Sequence, residues 1–195
     1  MGMYPLNTEL APKVKLAVGE TARLAIAQLS IMAEAAADDA VLAAVTLGDD
    51  AQEVTDDIVQ PDVPRVLTVT GALDDGATPA GGDGDVVIDG TDAAGAVISE
   101  TITAVAGETI VGDLAFATVT AVTVPSGTGT IAVGTGSALG IPARLSLNTV
   151  LAAYLNEARE ATAPTVATSP TVLAANTITL NSALDGSVVD VLFLV

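Results

Sequence analysis

The sequence predicts a mainly β protein: an antiparallel β-sandwich, immunoglobulin-like or jelly-roll-like, carrying an N-terminal α-helical arm. Three observations predict it. From Arg65 onward, short runs rich in Val, Ile and Thr recur between Gly, Asp and Pro clusters, the rhythm of strands and turns. Half of the 195 residues are hydrophobic but only 2% are aromatic, so the core has to be filled with Val, Ile, Leu and Ala. Ahead of that region, residues 13–37 are rich in Ala, Leu and other helix formers, and Pro12 suits a first helical turn.

Residues 1–39 therefore read as a helical arm, weakened at Gly19 and Thr21. Leu16, Leu24, Ile26, Leu29, Ile31 and Met32 spread apolar side chains around much of the predicted cylinder, as in a helix packed on more than one side. These six residues are the candidate assembly interface.

Residues 40–195 form the predicted body. Residues 41–47 and 51–58 flank Gly48-Asp49-Asp50 and suggest a hairpin spanning 41–58. Pro61 and Pro64 interrupt regular structure, placing the junction between arm and main body at residues 60–64. Strands are expected over 65–70, 85–89, 97–102, 116–124, 130–134, 146–155, 177–180 and 188–195, with a turn at 90–95. The Thr/Ala/Pro-rich stretch 160–175 reads as an extended connector lying across a neighbouring surface. No repeat of fixed period is visible, which argues against solenoids and propellers.

The chain contains no His and no Cys, the residues that most often supply proton transfer at neutral pH, thiolate attack and zinc or copper ligation. Disulfides cannot hold this fold. Six Lys and Arg against 24 Asp and Glu leave a net charge of −18. Such a surface repels phosphate backbones, so no nucleic-acid partner is expected. Many Asp, few Lys and a small-residue core also suit concentrated brine, where screening relieves carboxylate repulsion. The uncharged stretch 114–143 holds Pro125, Pro142 and many Gly and Thr, so it is not expected to span a membrane. The start lacks a basic and an apolar signal region, and no secretory leader is expected.

Three constellations could carry chemistry. Asp83, Asp85 and Asp89, within a wider acidic set of Asp74, Asp75 and Asp92, are weak candidates for a calcium-type site, but their spacing matches no EF-hand loop. The run Gly134-Thr135-Gly136-Ser137-Ala138-Leu139-Gly140 fails the dinucleotide-loop spacing and reads as a hairpin loop or bulge. Glu100, Glu108 and Glu157 could form a carboxylate pair for glycoside hydrolysis, but a chain with no Trp and two Tyr lacks a sugar-stacking face. No catalytic residue and no cofactor is therefore expected.

A series of motifs carries a resemblance. It runs through Ala40-Val41-Leu42-Ala43-Ala44-Val45-Thr46, Gln60-Pro61-Asp62-Val63-Pro64-Arg65 and Leu67-Thr68-Val69-Thr70. It continues with Asp89-Gly90-Thr91-Asp92-Ala93-Ala94-Gly95, Ser99-Glu100-Thr101-Ile102, Ala115-Phe116-Ala117-Thr118-Val119-Thr120 and Ala138-Leu139-Gly140-Ile141-Pro142. Asn148-Thr149-Val150-Leu151, Glu160-Ala161-Thr162-Ala163-Pro164-Thr165, Leu180-Asn181-Ser182-Ala183-Leu184-Asp185-Gly186 and Val189-Asp190-Val191 complete it. In this order the motifs resemble a family of tailed-phage virion structural proteins, over residues 41–195. The chain departs from relatives that carry Lys where Ala138 stands.

The resemblance implies a non-enzymatic component of the virion, made in the host cytoplasm and placed on the outer surface of the head as a capsid decoration protein. Its partners would be major capsid subunits and further copies of itself, as a homo-oligomer such as a trimer. Neither nucleic acid nor membrane is an expected partner. A tail, baseplate or head-spike protein that binds a host receptor is the alternative.

Overall fold

A computed structural model describes residues 13–16, 20–23, 25–73 and 84–195. The chain enters as strands β1 (Lys13–Leu16), β2 (Glu20–Arg23), β3 (Ile26–Met32) and β4 (Ala37–Thr46). Next come β5 (Gln52–Val54), β6 (Arg65–Leu73), β7 (Asp85–Thr91) and β8 (Val97–Thr103). The second half holds β9 (Thr109–Phe116), β10 (Thr118–Val124), β11 (Gly129–Gly140) and β12 (Val150–Leu155). It ends with β13 (Ala158–Arg159), β14 (Thr165–Ala167), a short 3-10 turn at Leu173–Ala175, β15 (Thr177–Thr179) and β16 (Val188–Leu194).

The mainly β expectation holds: these strands form antiparallel ladders in four sheets. One sheet runs β14-β15-β11-β6-β9, with β4 also on β11; a second runs β5-β10-β7-β8 and a third β13-β12-β16-β3. β1 and β2 form a two-stranded ribbon. Alternation is cleanest in β7, where Val86, Ile88 and Gly90 are buried while Asp85, Val87, Asp89 and Thr91 are partly exposed.

The predicted helical arm is not a helix. Residues 13–16, 20–23 and 26–32 are strands, and residues 1–12, 17–19 and 24 lie outside the described residues. Ala and Leu favour helix, but their propensity is worth only tenths of a kcal/mol per residue (roughly 0 to 0.7) and yields to tertiary pairing. Over 26–32 the period is two: Ala27, Leu29 and Ile31 face inward and Gln28 and Ser30 outward, so a full ladder with β16 wins.

The predicted 41–58 hairpin is also corrected. Its turn exists, but β4 pairs with β11 and β5 with β10, so the chain changes sheets there. Backbone bonds from Leu47 to Gly129 and from Gly127 to Gly48 hold this crossing. Within the connector 160–175, β14 is an edge strand on β15 of the same chain.

Two apolar clusters result. The first lies between the β4-β11-β6-β9 region and the second sheet, around Val41, Leu67, Val69, Ile88, Phe116, Val122 and Ile131. The second joins the third sheet to Leu139, Ile141, Leu145 and Ile178. β11 serves both. Along one edge it pairs first with β4 and then with β15, and its register against β6 shifts between Thr135 and Leu139. The Gly134–Gly140 run is thus a bulged strand, the bulge of the two sequence readings. At Gly134 a Cβ would collide with the Ala37 carbonyl, so β4 can approach this closely only over glycine.

Candidate assembly surfaces

Arg65 sits where the two clusters meet, fully buried at the start of β6. Its Nε donates to the Gly136 carbonyl at 2.8 Å, and Nη2 reaches the same oxygen. Nη1 donates to the Glu34 carbonyl at 3.0 Å and to Asp62 Oδ1 at 2.9 Å. Asp62 Oδ2 in turn accepts the Glu34 amide. The bulge in β11 exposes a carbonyl that no strand neighbour takes, and the planar guanidinium fork takes it.

Asn176 plays the same part for the connector. It is fully buried, its Oδ1 accepts the amides of Leu145 and Ser169, and its Nδ2 donates to the carbonyls of Ser169, Val172 and Leu173. Neither residue was singled out for a role from the sequence. For Arg65 a signal existed: a cation among Val and Leu, three positions after Asp62, in a chain with six cations.

Glu100 links two sheets. From β8 it accepts the amides of Asp113 and Leu114 on β9, above Gly112, where a Cβ would crowd its carboxylate. Burial pushes this carboxyl above its ordinary value, against the lowering effect of the two amides. Glu108 precedes β9 and Glu157 sits at the β12–β13 hairpin tip with φ of 64°, so the predicted carboxylate trio is dispersed over separate elements.

Of the weak metal candidates, Asp83, like Asp74 and Asp75, lies outside the described residues. Asp85 and Asp89 share the partly exposed face of β7, and Asp85 Oδ1 accepts the Thr103 hydroxyl. Asp92 is buried and caps its own turn, accepting the amides of Ala94 and Ala96. Among the described residues no three acidic side chains converge as a metal site would require. Also among them, no helix is long and apolar enough to cross a membrane.

The candidate assembly residues divide. Leu24 lies outside the described residues and Leu16 falls on β1, while Ile26, Leu29, Ile31 and Met32 all lie on β3. Ile26 and Met32 are 65% and 64% exposed; Leu29 and Ile31 are partly buried against the second cluster. A recess of about 470 Å³ opens along the other side of this sheet, between Val150–Ala153 of β12 and residues 159–164.

Gln28 and Asp190, joined by a 3.0 Å hydrogen bond, are polar groups on the solvent face of the sheet. Compared with family models, curated proteins and solved structures, the chain matches none.

Proposed function

We propose that this chain is a virion structural protein of a tailed virus, decorating the outer surface of the head through contacts with major capsid subunits. In this reading it catalyses no reaction, and its two-sheet region around the first cluster is a β-sandwich. One observation carries it: motifs that underlie the sequence resemblance meet one another in space through hydrogen bonds. Gln60 bonds both the amide and the carbonyl of Val119, and Gly140 donates to Pro64. Thr91 meets Thr118, and Glu160 accepts the amides of Asn181 and Ser182. Those contacts are joints of the framework, which supports a role in architecture, although residues 160–164 also line the recess beside β12. The net charge of −18 supports an outward position, since the head interior holds DNA phosphates.

The test is stoichiometry on purified particles. A copy number commensurate with the capsid lattice, and loss of the subunit from capsids lacking the outer attachment surface, is expected. A few copies per virion would sink head decoration and favour the tail or spike alternative.

A further inference from the structure

β3 is an edge strand, and among the described residues nothing pairs with its outer side. Its ladder with β16 runs without a register shift, and Ala25 and Val195 exchange both backbone hydrogen bonds. Alternation then points the amides and carbonyls of Ala27, Leu29 and Ile31 at β16, and those of Ile26, Gln28, Ser30 and Met32 outward.

Such an edge is normally blunted by charge, proline, bulges or brevity. Other edges here are: β13 and β14 are very short, β5 is short and carries Glu53, β4 carries Asp38 and Asp39, and β8 carries Glu100. β3 has none of these devices. From Ala25 to Ala33 there is no charge and no proline, in a chain with 24 acidic residues.

We propose that β3 pairs with β3 of a second copy, antiparallel about a two-fold axis through Leu29. The strand is self-complementary in that register. Ile26 faces Met32 of the partner copy and Gln28 faces Ser30, so every outward amide and carbonyl meets another, giving about eight backbone hydrogen bonds. Exposed Ile26 and Met32 side chains cover each other, Gln28 lies beside a hydroxyl, and Leu29 meets Leu29 on the inner face.

Charge favours this edge for self-association. Copies with net −18 repel, yet this seam brings no carboxylates face to face. The nearest acid on the neighbouring strand, Asp190, would stand about 14 Å or more from its equivalent across three strand spacings. That exceeds the Debye length of roughly 8 Å at physiological salt. The third sheet of each copy becomes half of one continuous sheet.

This deepens the assembly role proposed above and rests on it only in that copies of the chain meet. The experiment uses purified full-length protein, so its failure would leave particle attachment standing, and a failure of attachment would leave the dimer standing. In molar chloride the wild type should sediment as a dimer at micromolar concentration. Ser30→Pro removes an outward amide that no described residue of the protomer takes; it should keep a cooperative melting transition while weakening dimerisation by about tenfold or more.

Leu29→Cys, in a chain with no other cysteine, should oxidise to a disulfide-linked dimer, whereas Val97→Cys on exposed β8 should not. A monomeric or trimeric wild type would overturn the pairing. So would a Ser30→Pro protein that dimerises undiminished, or a Leu29→Cys protein that folds but never cross-links.

Discussion

Arg65 grips the carbonyl of Gly136 across 71 positions of sequence, and this bond ties the start of β6 to the bulge that carries β11 from one apolar cluster to the other. Replacing Arg65 by Met leaves the Gly136 and Glu34 carbonyls and Asp62 without a donor. Asp62 keeps contact with solvent, so the cost comes mainly from the carbonyls that lose a buried donor, about 1 to 3 kcal/mol. Arg65→Lys should recover little, because an ammonium does not reproduce the fork. Denaturant melts of Arg65→Met, Asp62→Asn and the double variant test this; additive effects would show that the two side chains do not act together.

Asn176→Leu should cost about 3 kcal/mol, since the amides of Leu145 and Ser169 lose a shared acceptor in a buried place. The loss should be visible locally as well. Limited proteolysis within residues 160–175 should accelerate before global unfolding, and an unchanged cleavage rate would contradict this role.

Thr68 is the opposite case: its hydroxyl is buried on β6 without a hydrogen-bond partner. Thr68→Val keeps the shape and removes the unpaired oxygen. A gain of about 1 kcal/mol in unfolding free energy is expected. A clear loss would mean that the hydroxyl is bonded.

Acid dependence has two signs. Burial raises the Glu100 carboxyl, so its contribution is fully present below the ordinary carboxylate range and is lost as pH rises through the folded value. Glu160 and Asp185 run the other way. At Glu160 some desolvation is outweighed by the Ser182 hydroxyl and the amides of Ser182 and Asn181; Asp185 is held down by the hydroxyl and amide of Ser187. Their contribution is present above the ordinary range and is lost as pH falls through the lowered folded values. Glu100→Gln should therefore gain on wild type in melting temperature as pH rises above the ordinary carboxylate range. Parallel curves for the two proteins would refute the raised value.

Salt should act on the whole surface. With net −18, melting temperature and subunit association should both rise from dilute buffer into molar chloride, as screening shortens to roughly 3 Å. A flat melting temperature across the salt series would count against adaptation to brine.

What could be read from the sequence was local. The β7–β8 hairpin was legible because Asp92-Ala93-Ala94-Gly95 closes its own turn and both flanking runs alternate. β9 was not among the expected strands, because Gly112 and Asp113 break its run of β-formers; in the fold the glycine makes room for the Glu100 carboxylate. The arm was misread because Ala and Leu weigh towards helix in any local count, and the strand that overrules them lies at the far end of the chain. Gly48-Asp49-Asp50 announced a reversal correctly, but which strands pair across it depends on β10 and β11. Ile26, Leu29, Ile31 and Met32 were legible as apolar assembly candidates; that they lie on an edge strand, with Ile26 and Met32 exposed, was not.

Gln28 and Asp190 meet although 162 positions separate them. Closing a loop of that length carries most of its entropic cost before any contact forms, so folding dominated by such pairings is slow. The β3–β16 ladder should be the last to assemble and the first to peel away. Until it closes, the flank of β16 stays open to any extended chain nearby. A newly made subunit is therefore most exposed to misassembly in the interval before its first strands reach its last.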